Sequence, residues 1–182
     1  MTKLMIVLGS VREGRVGLPI AQWAKSKAEA DGRFEIDWVD LKELALPFMD
    51  EPNHPRLKQY TKEHTKAWSA RVAAADAFLF AFPEYNYSYA PVIKNALDYL
   101  FEEWARKPVG FINWGGSSSG TRAQTALRIV VTALGMVSTR GSVEIGFPGK
   151  QIADGVFTPT EQQANVLKAQ LDELVALSAL RK

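Results

Sequence analysis

Three short segments of this chain concentrate the residue types that bind anions and flat rings. The first is Gly9-Ser10-Val11-Arg12-Glu13-Gly14-Arg15-Val16-Gly17. Ser10 supplies a hydroxyl donor, and Arg12 and Arg15 supply guanidinium forks that match phosphate oxygens. The glycines permit close backbone approach. The segment opens onto a helical stretch, whose N-terminus offers free N–H groups and partial positive charge. This chemistry describes a phosphate cradle; the plain alternative is a solvated turn with two surface arginines. It is neither a P-loop, since the Gly-Lys-Ser/Thr ending is missing, nor G-x-G-x-x-G. The second segment, Pro83-Glu84-Tyr85-Asn86-Tyr87-Ser88-Tyr89-Ala90-Pro91, places three tyrosines in close succession. Flat rings and backbone amides can line a planar heteroaromatic ligand, or pack over the core rim or a subunit interface. The third, Gly115-Gly116-Ser117-Ser118-Ser119-Gly120-Thr121-Arg122, is built of small residues before a helix. Its backbone N–H groups can bond ring carbonyls and stabilise negative charge that develops there.

Other chemistries lack parts. The chain has 182 residues, no cysteine and two histidines. Disulfides, thiolate nucleophiles, iron–sulfur clusters and thiolate zinc sites are excluded together. His54 lies in a proline-rich loop and His64 in a polar helix, neither with a second ligand at metal spacing. Gly116-Ser117-Ser118-Ser119-Gly120 matches the serine-hydrolase G-x-S-x-G pattern, but both histidines precede it, against the required order. Glu102 and Glu103 read as a solvated face or a subunit contact, and Trp68, Trp104 and Trp114 as core or interface anchors. No side chain stands out as a catalytic nucleophile or base.

The composition is that of a globular protein, 47% hydrophobic and 23% charged, with a net charge of +2. This mild balance is not a nucleic-acid signature, which wants a basic stripe. No run approaches the roughly 20 apolar residues of a membrane span, and the N-terminal run is too short for a signal segment. A cytoplasmic protein of one domain, residues 1–182, is expected.

The elements that must hold the three segments follow from the period of the pattern. Leu4-Met5-Ile6-Val7-Leu8 and Ala77-Phe78-Leu79-Phe80-Ala81-Phe82 are short continuous apolar runs, as in strands buried on both faces. Residues 34–39, 109–114 and 139–145 read as three more strands. Helices are expected over 18–30, 57–75, 92–105, 121–136 and 160–180. Strict alternation implies α/β architecture with a parallel sheet. Five strands fit the flavodoxin-like order 2-1-3-4-5, a three-layer sandwich that binds ligands beyond the carboxyl ends of its strands. The three segments follow strands 1, 3 and 4.

With these segments in place, the sequence resembles the NADPH-dependent FMN reductase family, flavodoxin-like enzymes that include FMN-containing quinone, azo-dye and chromate reductases. The match rests on Gly9-Ser10-Val11-Arg12, on Pro83-Glu84-Tyr85-Asn86 with Lys94-Asn95-Ala96-Leu97-Asp98-Tyr99, and on Gly115-Gly116 through Arg122-Ala123. The resemblance implies bound FMN, with NADPH or NADH as transient co-substrate. Ser10, Arg12, Arg15, Val16 and Gly17 would hold its phosphate. Pro83, Glu84, Tyr85 and Asn86 would lie along its ring, and Gly116, Ser117 and Ser118 would face the pyrimidine side. The implied activity passes two electrons to a quinone, an azo compound, free flavin or a similar small acceptor. The alternative is a non-catalytic FMN-binding carrier or redox-linked regulator. Two departures stand out: Pro91 comes later than the family's proline, and Arg15 stands where many members have serine. Family members are commonly homodimers or homotetramers. Tyr99, Phe101 and Trp104 on a helix over 92–105 would leave aromatic surface for such contacts.

Overall fold

Continuous burial along the central strands decides the layers. In the computed structural model, which describes residues 1–180, the run from Leu4 to Leu8 lies in β1 (Thr2–Leu8). The chain continues through α1 (Gly17–Asp31), β2 (Phe34–Asp40), the single turn α2 (Leu41–Leu44) and α3 (Glu63–Ala74). Next come β3 (Ala77–Tyr85), β4 (Ser88–Tyr89), α4 (Pro91–Asp98), β5 (Pro108–Gly115) and α5 (Thr121–Ala133). The last part holds β6 (Val137–Ser138), β7 (Val143–Gly146), the small hairpin of β8 (Ile152–Ala153) and β9 (Val156–Phe157), and α6 (Glu161–Ala179).

The main sheet runs β2-β1-β3-β5-β6, with β7 also on β5. All of these pairings are parallel. With β6 and β7 taken as two pieces of one strand, this is the expected 2-1-3-4-5 order. Leu4, Ile6, Leu8, Leu79 and Ile112 face Ile20 and Ala24 of α1 and Leu167, Leu171 and Leu174 of α6. On the opposite face, Met5, Val7, Phe78, Phe80, Phe82 and Phe111 pack on Trp68 and Val72 of α3, Leu97 of α4 and Leu127 of α5. Each such fully buried phenylalanine contributes about 2 kcal/mol of burial free energy. No helix among the described residues is long and apolar enough to cross a membrane.

Three elements differ from the sequence expectation. The helix expected from residue 57 starts at Glu63, after an isolated 3₁₀ turn over Pro55–Leu57. Lys58 takes a left-handed φ of 53°, and the Glu51 carboxylate accepts the N–H groups of Thr61 (2.8 Å) and Lys62 (2.9 Å), holding this approach extended. The helix expected over 92–105 stops at Asp98, and a 3₁₀ turn covers Glu102–Trp104. A continuous helix would put Tyr99 and Trp104 on different faces; the break buries both. Of the aromatic surface expected there for subunit contacts, Tyr99 and Trp104 are core and Phe101 is half-buried beside Arg56. Trp68 and Trp104 meet edge to face in that core, their indole N–H groups donating to Ala96 O (2.9 Å) and Leu97 O (3.1 Å). Glu103 is likewise buried rather than solvated, accepting from Tyr60 Oη (3.0 Å) and Ser69 Oγ (2.6 Å).

The fifth strand is split, because residues 139–142 leave the ladder. The buried Gln170 side chain of α6 fills the gap, donating from Nε2 to Phe111 O (2.9 Å) and Gly141 O (2.8 Å). Replacing it with an apolar isostere leaves two buried acceptors without that partner. Gln170→Leu is expected to lose about 2 kcal/mol. Thermal denaturation should show Tm lowered by roughly 4–8 °C.

Candidate functional site

The first segment leaves β1 at Gly9, whose N–H donates to Ala81 O of β3 at 2.8 Å. Ser10 is buried at the mouth of the turn. The segment reaches α1 at Val16, which provides no side-chain cap, and the first turn of α1 carries no acid. The N-terminal amides of this helix thus face the loop without a protein anion among them. Arg15, expected from the sequence to hold the phosphate, is paired within the chain. Its guanidinium donates to the Ser10 carbonyl and, bidentately, to Asp40 at the end of β2. Both side chains of this pair are almost fully buried. Asp40 also caps α2, accepting the Lys42 N–H at 2.9 Å. Arg15 therefore braces the loop, and its charge is spent on Asp40. Arg12 is exposed and makes no ion pair among the described residues, so the cradle's free side-chain cation is Arg12.

The second segment is a hairpin. β4 pairs antiparallel with the end of β3, joining Glu84 to Tyr89 and Tyr85 to Ser88. Asn86 (φ 48°) and Tyr87 (φ 70°) form its two-residue turn, both left-handed as a type I′ turn requires. Asparagine tolerates that region; a tyrosine there is uncommon. The Arg122 guanidinium stacks over the Tyr87 ring at 4.1 Å. Glu84, with 8% of its side chain exposed, accepts from Arg122 Nη1 at 2.9 Å. The same carboxylate accepts the N–H groups of Arg122 (3.2 Å) and Ala123 (3.4 Å) at the start of α5. Burial pushes this carboxyl up, but the Ser118 hydroxyl, Arg122 and the Ala123 N–H outweigh it, holding it below the ordinary glutamate value. Pro91 opens α4 directly after the hairpin. The following Lys94–Asp98 stretch serves as an anchor. Asn95 Nδ2 donates to Pro47 O (2.7 Å), Asn95 Oδ1 accepts the Met49 N–H (3.0 Å), and Tyr99 Oη donates to Pro47 O (3.0 Å).

The third segment folds on itself. Ser119 N–H donates to Gly116 O (3.1 Å) and Thr121 N–H to Ser118 O (2.9 Å). Gly120 has φ 84°, and a β-carbon there would sit 2.7 Å from the Trp114 backbone N. Glycine is obligatory on both counts. Because Glu84 occupies the helix start, the donors left to a ligand narrow to Gly116, Ser117 and Ser118, whose N–H groups take part in none of these bonds. The hydrolase pattern finds no histidine here. His54 Nδ1 accepts the Arg56 N–H (3.1 Å), and His64 Nε2 pairs with Asp50 (2.9 Å).

These three segments meet in one cleft of about 240 Å³. Ser10, Arg12, Arg15 and Val16 line it from the first, and Pro83, Glu84 and Tyr85 from the second. Gly17, Asn86, Gly116, Ser117 and Ser118 stand outside that lining. Gly17 instead lets α1 close on Trp114: a β-carbon would lie 2.5 Å from its ring. Gly14 and Gly115, from the first and third segments, also line it, and sequence reasoning missed Trp114 and Pro148. Trp114 looked like a core anchor and is one, but its place at the carboxyl end of a strand was a usable signal. Pro148 follows β7 at the same edge. Larger hollows of about 480 and 500 Å³ flank α6, without such converging glycine-rich loops.

Known proteins resemble this chain in sequence and fold. The profile of the family described as NADPH-dependent FMN reductase matches residues 2–148. An NAD(P)H-dependent FMN reductase of Schizosaccharomyces pombe is 36% identical over 159 residues, 86% of this chain and 79% of its own length. An NAD(P)H:quinone oxidoreductase of Solanum tuberosum is 32% identical over 185 residues, 97% and 92% of the two chains. The solved flavoenzyme NAD(P)H:(acceptor) oxidoreductase FerB from Paracoccus denitrificans superposes with a TM-score of 0.76 at 24% identity, covering 98% of each chain. A Streptococcus pneumoniae flavodoxin does so with a TM-score of 0.59 at 13% identity, covering 96% of this chain and 99% of its own. The fold is flavodoxin-like, and the chain belongs to the NADPH-dependent FMN reductase family.

Proposed function

We propose that this chain is an FMN-dependent NAD(P)H oxidoreductase acting on a quinone, azo compound, free flavin or similar small acceptor. The observation that carries this is the meeting of three ligand-type loops in one cleft at the carboxyl ends of β1, β3 and β5. The net reaction with a quinone takes NAD(P)H and a proton and yields NAD(P)+ and the hydroquinone. When bound, FMN supplies the hydride-accepting and hydride-donating chemistry that the side chains of this chain lack. The residues present fit that group. The uncapped start of α1, the Ser10 hydroxyl and the free cation of Arg12 suit its phosphate. Arg15 positions the Ser10 peptide for the same task. Pro83, Glu84, Tyr85 and Asn86 present backbone along the ring. Gly116, Ser117 and Ser118, next to the lining residue Gly115, would offer N–H donors to its carbonyl edge, where negative charge gathers on reduction.

The remaining parts of the reading concern the whole protein. Residues 1–182 act as one domain, in the cytoplasm, as a homodimer or homotetramer. Family resemblance supports the assembly; of the aromatic residues first read as contact surface, Tyr99 and Trp104 are buried and Phe101 is half-buried.

The reading is tested by loading purified protein with FMN and following NADPH or NADH oxidation with a quinone. Turnover that needs both FMN and acceptor is expected. Uptake of FMN without turnover would identify a carrier, and failure to take up FMN would overturn the reading. The two arginines should separate. Arg12→Ala is expected to weaken FMN binding about 10- to 100-fold, as loss of a charge-assisted bond implies. Its apoprotein should melt as the wild type does. Arg15→Ala strands the buried Asp40 carboxylate and should cost about 3–5 kcal/mol of apoprotein stability. Chemical denaturation with flavin-fluorescence titration measures both. The Glu84 clamp also has a pH signature. Its folded value lies below the ordinary 4.5, so its contribution is present above pH 4.5 and is lost as pH falls below it. Glu84→Gln should lose that part of the acid-side fall in Tm.

A further inference from the structure

Phe147 is held in an unusual way. Its φ of 47° lies in the left-handed region, where a bulky residue is an outlier. Strain of this kind clusters at ligand clamps and active sites. Two bonds pin the backbone: the Phe147 N–H donates to Gly115 O (2.8 Å), and its carbonyl accepts the Lys150 N–H (2.9 Å). The side chain gains little burial in return, with the residue 54% exposed. Its ring edge comes within 3.9 Å of where a β-carbon on Gly116 would stand. The next residue, Pro148, lines the cleft. The Lys150 ammonium lies over one face of the ring, 5.1 Å from its centroid, and makes no ion pair among the described residues. Packing does not account for this residue, and glycine or asparagine would hold the same backbone with less strain.

We propose that Phe147 is a specificity-determining residue, whose ring is a platform for stacking a planar aromatic acceptor at the mouth of the cleft. The proposal rests on the oxidoreductase reading above. A π-face accepts any flat ring. The platform is the face opposite Lys150. It selects acceptors by planarity rather than by a pattern of donors and acceptors.

The test compares wild type with Phe147→Leu, Phe147→Tyr and Phe147→Gly, each loaded with FMN. Turnover with NADPH is measured using 1,4-naphthoquinone and, as a non-aromatic acceptor, ferricyanide. Calorimetry measures naphthoquinone binding to the oxidised holoprotein without NADPH. Phe147→Leu and Phe147→Gly should lower the naphthoquinone-to-ferricyanide ratio of kcat/KM about tenfold and weaken naphthoquinone binding by a similar factor. Phe147→Tyr should retain both. Phe147→Gly should melt no lower than the wild type, which a purely structural role for the ring would not produce. A Leu variant with the wild-type ratio and wild-type binding overturns the platform, as does a loss that appears only alongside loss of FMN. Naphthoquinone binding that depends on Phe147 in a protein that reduces neither acceptor keeps the platform and overturns the oxidoreductase reading.

Discussion

The parallel ladder of β2, β1, β3 and β5 is the constraint on which the rest depends. A tight turn cannot join parallel neighbours, so each strand must hand the chain to a crossover that returns over one face of the sheet. Both faces are then covered, and the strands are apolar on both sides. Polar chemistry is displaced to the ends. Because the strands share one direction, the loops after β1, β3 and β5 emerge at the same edge, although they lie far apart in sequence.

At that edge two helix N-termini are used in opposite ways. The start of α5 is filled from within by the Glu84 carboxylate, which ties the β3–β4 hairpin to the following loop. The start of α1 has no such occupant, and the nearby Arg15 is turned away to Asp40. One positive helix end serves architecture, and the other is the one we propose receives the phosphate. Neutralising Arg15 internally also leaves Arg12 as the cradle's mobile charge. The departure of Arg15 from the family pattern thus acquires a role in bracing the loop.

Much of this was legible in the sequence, and the exceptions have physical causes. Continuous apolar runs such as Ala77-Phe78-Leu79-Phe80-Ala81-Phe82 admit few readings, and all the main strands stand near their expected places. The three loops were visible because glycine, arginine and tyrosine clusters are rare beside such runs. The break after Asp98 was not visible. Local spacing favours a longer helix there, while the burial of both Tyr99 and Trp104 is a tertiary demand. The Arg15–Asp40 pair is not visible in the sequence, because the two residues lie 25 positions apart. The constraint on Phe147 comes from Gly115, on a neighbouring strand.

The split fifth strand has a consequence for encounters between copies. It lies at the border of the main sheet, where unpaired N–H and C=O groups invite a foreign strand to add itself. β7 offers four consecutive residues. Beyond them the ladder direction is lost, and the amide of Gln170 already bonds Gly141 O. An incoming chain has too short a template to propagate a register. The irregularity thus works as a guard against edge-to-edge aggregation.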